Sequence, residues 1–113
     1  MPCICTLEIR SFVVTVVDAA GQPAEGVSIS VHRVSDGAVL TETVPLGLPG
    51  LYVILTDGNI DDVSEDGTAV EVVGTLEDMG FRAEYVFDRD ACRCHVNKIS
   101  GPDTVQLAPL PLG

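Results

Sequence analysis

Asp18-Ala19-Ala20-Gly21-Gln22-Pro23-Ala24-Glu25-Gly26-Val27-Ser28-Ile29 carries the architecture of this chain, and Gly50-Leu51-Tyr52-Val53-Ile54 answers it further on. Asp18 and Gly21 suit a tight turn that needs an unusual φ. Pro23 presets the chain, and Gly26 lets the next strand start close against its neighbour. Upstream, segment 11–18 (SFVVTVVD) is apolar on both alternating faces, as for a strand covered on two sides. Downstream, segment 26–34 alternates: Val27, Ile29 and Val31 face one way, Ser28, Ser30 and His32 the other. The local reading is strand, turn, strand.

The rest of the chain continues in short extended pieces. Ser35-Asp36-Gly37 is a turn, 38–44 a short strand, and Pro45-Leu46-Gly47-Leu48-Pro49-Gly50 a breaker-rich connection. Segment 51–56 (LYVILT) reads as a buried strand and 57–67 (DGNIDDVSEDG) as a polar acidic loop. Strand character resumes over 68–73, and 76–80 reads as a turn with room for one helical turn. Over 81–87, Phe81, Ala83, Tyr85 and Phe87 share one face; the aromatic stripe reads as core rather than as a ligand platform. Segments 92–99 and 103–108 supply the last two strands, and the tail 109–113 is expected to fray. Seven or eight such strands at intervals of roughly ten residues predict an all-β, antiparallel Greek-key sandwich.

A length of 113 residues gives one domain. The layout is an N-terminal segment 1–10, a β-domain over 11–108 and the tail. Six basic residues against 17 acidic ones leave a charge of −11. Such a surface repels phosphate backbones and anionic lipid headgroups, which argues against nucleic acid and favours solubility or a cationic or Ca²⁺-mediated partner. No apolar run approaches the roughly 20 residues that cross a bilayer. The opening Met1-Pro2-Cys3-Ile4-Cys5 reads as a start placed where a leader has been cut away.

Val14-x-Val16-Val17-Asp18-x-x-Gly21-x-Pro23-x-x-Gly26-Val27-x-Ile29, followed by Gly50-x-Tyr52-x-Ile54, resembles the carboxypeptidase regulatory-like domains. The resemblance covers roughly 11–108 and implies a transthyretin-like, Ig-related β-sandwich. Phe87-Asp88-x-Asp90-x-Cys92-x-Cys94-His95-Val96-x-Lys98 looks like bacterial secreted proteins and lipoproteins that carry such a domain. The resemblance implies a non-enzymatic module of the periplasm, cell surface or medium. An unidentified protein or carbohydrate would meet a sheet face, an edge strand or the acidic loop. One departure is Pro45 to Pro49, where the family often has a Thr/Asp turn. The branch of the fold that hydrolyses 5-hydroxyisourate ends in Tyr-Arg-Gly-Ser, whereas this chain ends Leu110-Pro111-Leu112-Gly113.

Two Cys-x-Cys pairs, Cys3/Cys5 and Cys92/Cys94, lie near opposite ends. On strands each pair projects both sulfurs to one side. Disulfides between the pairs lead the readings, either Cys3–Cys94 with Cys5–Cys92 or Cys3–Cys92 with Cys5–Cys94, and spacing does not choose between them. Closing a loop of about 90 residues is worth up to roughly 4.5 kcal/mol in the chain-entropy model. The rivals are a Cys₄ zinc site, weakened by a spacing shorter than Cys-x₂₋₄-Cys, and a reactive thiol. A further variant has Cys3 or Cys5 attached to lipid instead of bridged.

Asp57, Asn59, Asp61 and Asp62 carry the Asp-x-Asn-x-Asp cadence of a Ca²⁺ loop, although Asp62 and Thr68 stand where an EF-hand has Gly and Glu. A solvated acidic turn competes with calcium there. His32 beside Arg33 reads as a surface histidine, and Asp88 and Asp90 as turn-forming carboxylates. No nucleophile elbow, His-Glu-x-x-His or phosphate loop is present, so the chain is expected to be non-enzymatic, without a cofactor.

Overall fold

The computed structural model describes residues 3–42 and 47–110. Among the described residues nine strands follow in order: β1 (Ser11–Val17), β2 (Ser28–Arg33), β3 (Val39–Glu42), β4 (Leu51–Thr56), β5 (Thr68–Leu76), β6 (Met79–Arg89), β7 (Val96–Ser100), β8 (Thr104–Gln106) and β9 (Ala108–Pro109). One 3₁₀ segment, Asp57–Asp62, follows β4. A small sheet runs β4-β1-β8 and a larger one β3-β2-β5-β6-β7, with β9 pairing the start of β6. After β1 the chain crosses to the larger sheet for the β2–β3 hairpin. It then returns as β4, antiparallel to β1, which is the Greek-key step.

The alternation seen in the sequence becomes the interface between the sheets. Val14 and Val16 of β1, Val31 of β2, Val70 and Val72 of β5, Tyr85 and Phe87 of β6 and Val96 of β7 are all fully enclosed. Phe12 meets Phe87 edge-on, with ring centroids 5.3 Å apart. β1 is covered on one face rather than two: Val13, Thr15 and Val17 are only half-buried.

The opening motif behaves as its residue types require. The Asp18 carboxylate accepts from the N–H groups of Ala20 and Gln22, and Gly21 sits at φ 82°. Gly50 sits at φ 76°, and a Cβ there would stand 2.9 Å from the Val16 carbonyl oxygen. The close approach explains the Gly of the Gly-x-Tyr step. Its Tyr52 is buried, donating its hydroxyl to the Ala24 carbonyl at 2.8 Å and accepting from the Val27 N–H at 3.1 Å.

Several expectations change. One pair, β1 with β8, is parallel, so the sandwich is not antiparallel throughout. Residues 76–80 hold no helical turn: β5 and β6 join through Glu77-Asp78, with Glu77 at φ 56°. Part of the expected acidic loop is the 3₁₀ segment. The strand expected over 92–99 begins only at Val96, because Arg93 turns left-handed at φ 56°. The tail stays paired beyond its expected fraying point, since Pro109 pairs with Met79 and the Leu110 N–H donates to the Asp78 carbonyl. Residues 43–46, in the expected strand 38–44 and the Pro-rich connection, and 111–113 of the tail lie outside the described residues.

Tyr52→Phe keeps the ring but strands two buried backbone groups. Its expected cost is about 1–3 kcal/mol, read as a lower denaturant midpoint at unchanged m-value. An unchanged midpoint would refute the role of the hydroxyl.

Candidate functional site

Residues 3–10 form a strap without regular secondary structure. Two disulfides, Cys3–Cys92 and Cys5–Cys94, tie it to the turn before β7. Their Cα–Cα distances of 5.5 and 5.3 Å lie within the ordinary disulfide range. Strap and turn therefore run in parallel register, which rules against the crossed pairing Cys3–Cys94 with Cys5–Cys92. All four sulfurs are bridged. This corrects the zinc and free-thiol readings and leaves neither Cys3 nor Cys5 a sulfur for lipid. The sulfurs do not project from a common strand face either, since neither pair lies on a strand.

Asp90 shapes the turn. Its Oδ1 accepts from the Cys94 N–H at 2.7 Å and from the His95 N–H at 3.4 Å. The turn directs the His95 imidazole inward, where the residue is 9% exposed. There its Nδ1 lies 2.8 Å from Asp57 Oδ2, while its Nε2 lies 2.8 Å from Thr6 Oγ1 on the strap.

Asp57 is placed by the local sequence. A capping box at the end of β4 pairs Thr56 Oγ1 with the Gly58 N–H and Asn59 Oδ1 with the Thr56 N–H, so the 3₁₀ segment starts at Asp57. Asp57 Oδ2 also accepts from the Arg10 N–H at 2.8 Å, and Oδ1 from the Val96 N–H at 2.9 Å. The Asp57 N–H donates back to the Arg10 carbonyl. Burial pushes the Asp57 carboxyl up, but the Arg10 and Val96 N–H groups, followed by His95, more than offset it and hold it below the usual carboxylate range. An ionised Asp57 calls for hydrogen on His95 Nδ1, and in that tautomer Nε2 accepts from the Thr6 hydroxyl. Strap, 3₁₀ turn and β7 thus meet at one carboxylate.

The calcium candidates disperse. Asp57 is turned toward His95, and Asn59 Nδ2 donates to the Leu40 carbonyl and to Asp62 Oδ2. Asp61 faces outward to Arg93 at 3.4 Å. Among the described residues no three His, Cys, Asp or Glu side chains converge as metal ligands. The capping box is the reason, because it winds this stretch into a 3₁₀ turn rather than a loop with converging oxygens.

His32 pairs with Glu71 at 3.1 Å on the outer face of the larger sheet, and Glu71 also meets Arg82. Asp90 is the turn former expected. Asp88 is not: it lies within β6 opposite Asn97, and its buried Oδ1 has no hydrogen-bond partner. Of the aromatic stripe, Tyr85 and Phe87 are fully enclosed, whereas Phe81 is partly buried and lies over Gly74. Thr6, and any link between Asp57 and His95, went unremarked in the sequence.

No family model, curated protein or solved structure matches this chain.

Asp57's depressed pKa sets a pH dependence. Its stabilising contribution is complete above the unfolded carboxyl pKa of about 4 and is lost as pH falls through the lower folded value. Asp57→Asn removes that contribution, so the gap in melting temperature between parent and variant is expected to be wide at neutral pH and to close on acidification. A gap that does not vary with pH would contradict an ionised Asp57 at this junction.

Proposed function

We propose that this chain is a contact module of a secreted or envelope protein, working in the manner of the carboxypeptidase regulatory-like domains that it resembles. In this reading it acts by presenting its N-terminal strap to a protein partner. The two disulfides are compatible with an extracytoplasmic protein, and no helix among the described residues is long and apolar enough to cross a membrane. The periplasm, the cell surface or the medium is the oxidising setting in which such bridges persist.

One observation carries the reading. Ile4, Leu7 and Ile9 are 90, 100 and 76% exposed on the same clamped segment. A single exposed aliphatic residue needs no explanation, but three within six positions of a covalently held strap form an apolar ridge. The clamp removes most of the ordering cost that a free terminus meets on binding. The charge of −11 favours a partner whose apolar groove is rimmed by basic groups.

A photo-crosslinking residue at Leu7, in the chain produced in its native envelope, is expected to give one discrete protein adduct. The same residue at Glu84, exposed on the outer face of β6, is expected to give none. Replacing Ile4 and Ile9 by Ser should abolish the adduct and change stability by no more than about 0.5 kcal/mol each. Equal adducts at both positions, or an adduct indifferent to those replacements, would remove the strap from the account.

A further inference from the structure

The side of the strap facing the body offers a different capacity, independent of any partner bound to its aliphatic ridge. Thr6 Oγ1, His95 and Asp57 stand in line: hydroxyl to Nε2 at 2.8 Å, Nδ1 to carboxylate at 2.8 Å. This is the order of contacts that activates a hydroxyl nucleophile, with a base in reach and a third group orienting the base. The carboxylate is itself held by two backbone N–H groups. Base and carboxylate are each 11% exposed at the side chain, while Thr6 is an exposed residue. Thr6 is an exposed residue with its base on the inside, and a carbonyl compound would approach it from the solvent side of the strap.

We propose that Thr6 is an acyl-accepting nucleophile toward activated esters of short aliphatic acids, with His95 as its base and Asp57 as the positioning residue. Retention of the strap does not call for the Thr6 hydrogen bond, since two disulfides and the Arg10–Asp57 pairing already secure it. The same disulfides keep hydroxyl and base in register, which is the positioning that acyl transfer exploits. Leu7 follows at a bend, and its N–H bonds to no other described residue; an ester bound with its carbonyl oxygen against that N–H would find there a donor for the developing oxyanion.

In the step, Thr6 Oγ1 bonds to the ester carbonyl carbon as its proton passes to His95 Nε2. The tetrahedral adduct collapses, the bond from carbon to the leaving oxygen breaks, and His95 returns the proton to the departing alcohol. The products are the acyl ester of Thr6 and the free alcohol. Water repeating the sequence on that ester releases the acid.

The test uses the full-length oxidised chain with p-nitrophenyl acetate, following p-nitrophenolate release and locating the adduct by peptide mass mapping. One acetyl group per chain on Thr6 is expected. Thr6-dependent phenolate release without an accumulated adduct supports the proposal equally, because deacylation then outruns acylation. Thr6→Ser should keep the reaction and Thr6→Val abolish it, with melting confirming that both are folded. His95→Gln should slow it by about 100-fold or more. Acetylation confined to Lys98 or the amino terminus, a Thr6→Val variant as reactive as the parent, or no reaction at all would overturn the proposal. None of these outcomes bears on the aliphatic ridge, whose residues stay intact in every variant.

Discussion

The Asp57 carboxylate is the point at which three distant parts of the chain are made one. It receives Arg10 from the beginning, Val96 and His95 from near the end, and sits at the head of the 3₁₀ turn that leaves β4. A carboxylate only 11% exposed is tolerated because each of its oxygens accepts from the protein. Remove one partner and the others face a group stripped of water without full compensation. The strap therefore has its direction set by charge-assisted hydrogen bonds, each stronger than a neutral one.

The disulfides do a different job. In the chain-entropy picture, cross-links at residues 89 apart restrict the unfolded chain. The second closes almost the same loop as the first and adds little on that account. Its consequence is local: two bridges, two residues apart on each side, stop the strap from pivoting about one. Asp57 orients the strap and the bridges limit its excursions, so neither substitutes for the other.

The strands were readable in the sequence because burial on one face imposes a period of two, as in β2 and β6. Tyr52 was readable as a motif, although its hydroxyl bonds were not. The misreadings have identifiable causes. Cys92-Arg93-Cys94 imitates strand alternation, yet Asp90 collects the N–H groups of Cys94 and His95 and bends the chain into a turn. Asp57-Gly58-Asn59 imitates a calcium loop, yet the Thr56 cap uses the Asn59 side-chain oxygen. The parallel contact of β1 with β8 joins residues far apart in sequence and leaves no local trace. The link of Thr6, His95 and Asp57 was hidden behind the choice of disulfide register. Once Cys5 is joined to Cys94, the next residue on each side is Thr6 and His95, and the pair follows.

The proposed role of the strap also bears on the chain's charge. Exposed aliphatic residues on a fixed, extended segment would ordinarily invite copies of the chain to associate. Here each copy carries −11, so self-association works against mutual repulsion while approach to a basic surface does not. The repulsion acts over roughly a Debye length, about 8 Å at physiological salt, whereas apolar contact acts only on touching. In the proposed role, charge would filter which surfaces come near, and the Ile4, Leu7 and Ile9 ridge would discriminate among those that arrive. Because the segment is clamped, that discrimination would be made by a defined shape instead of by a frayed end.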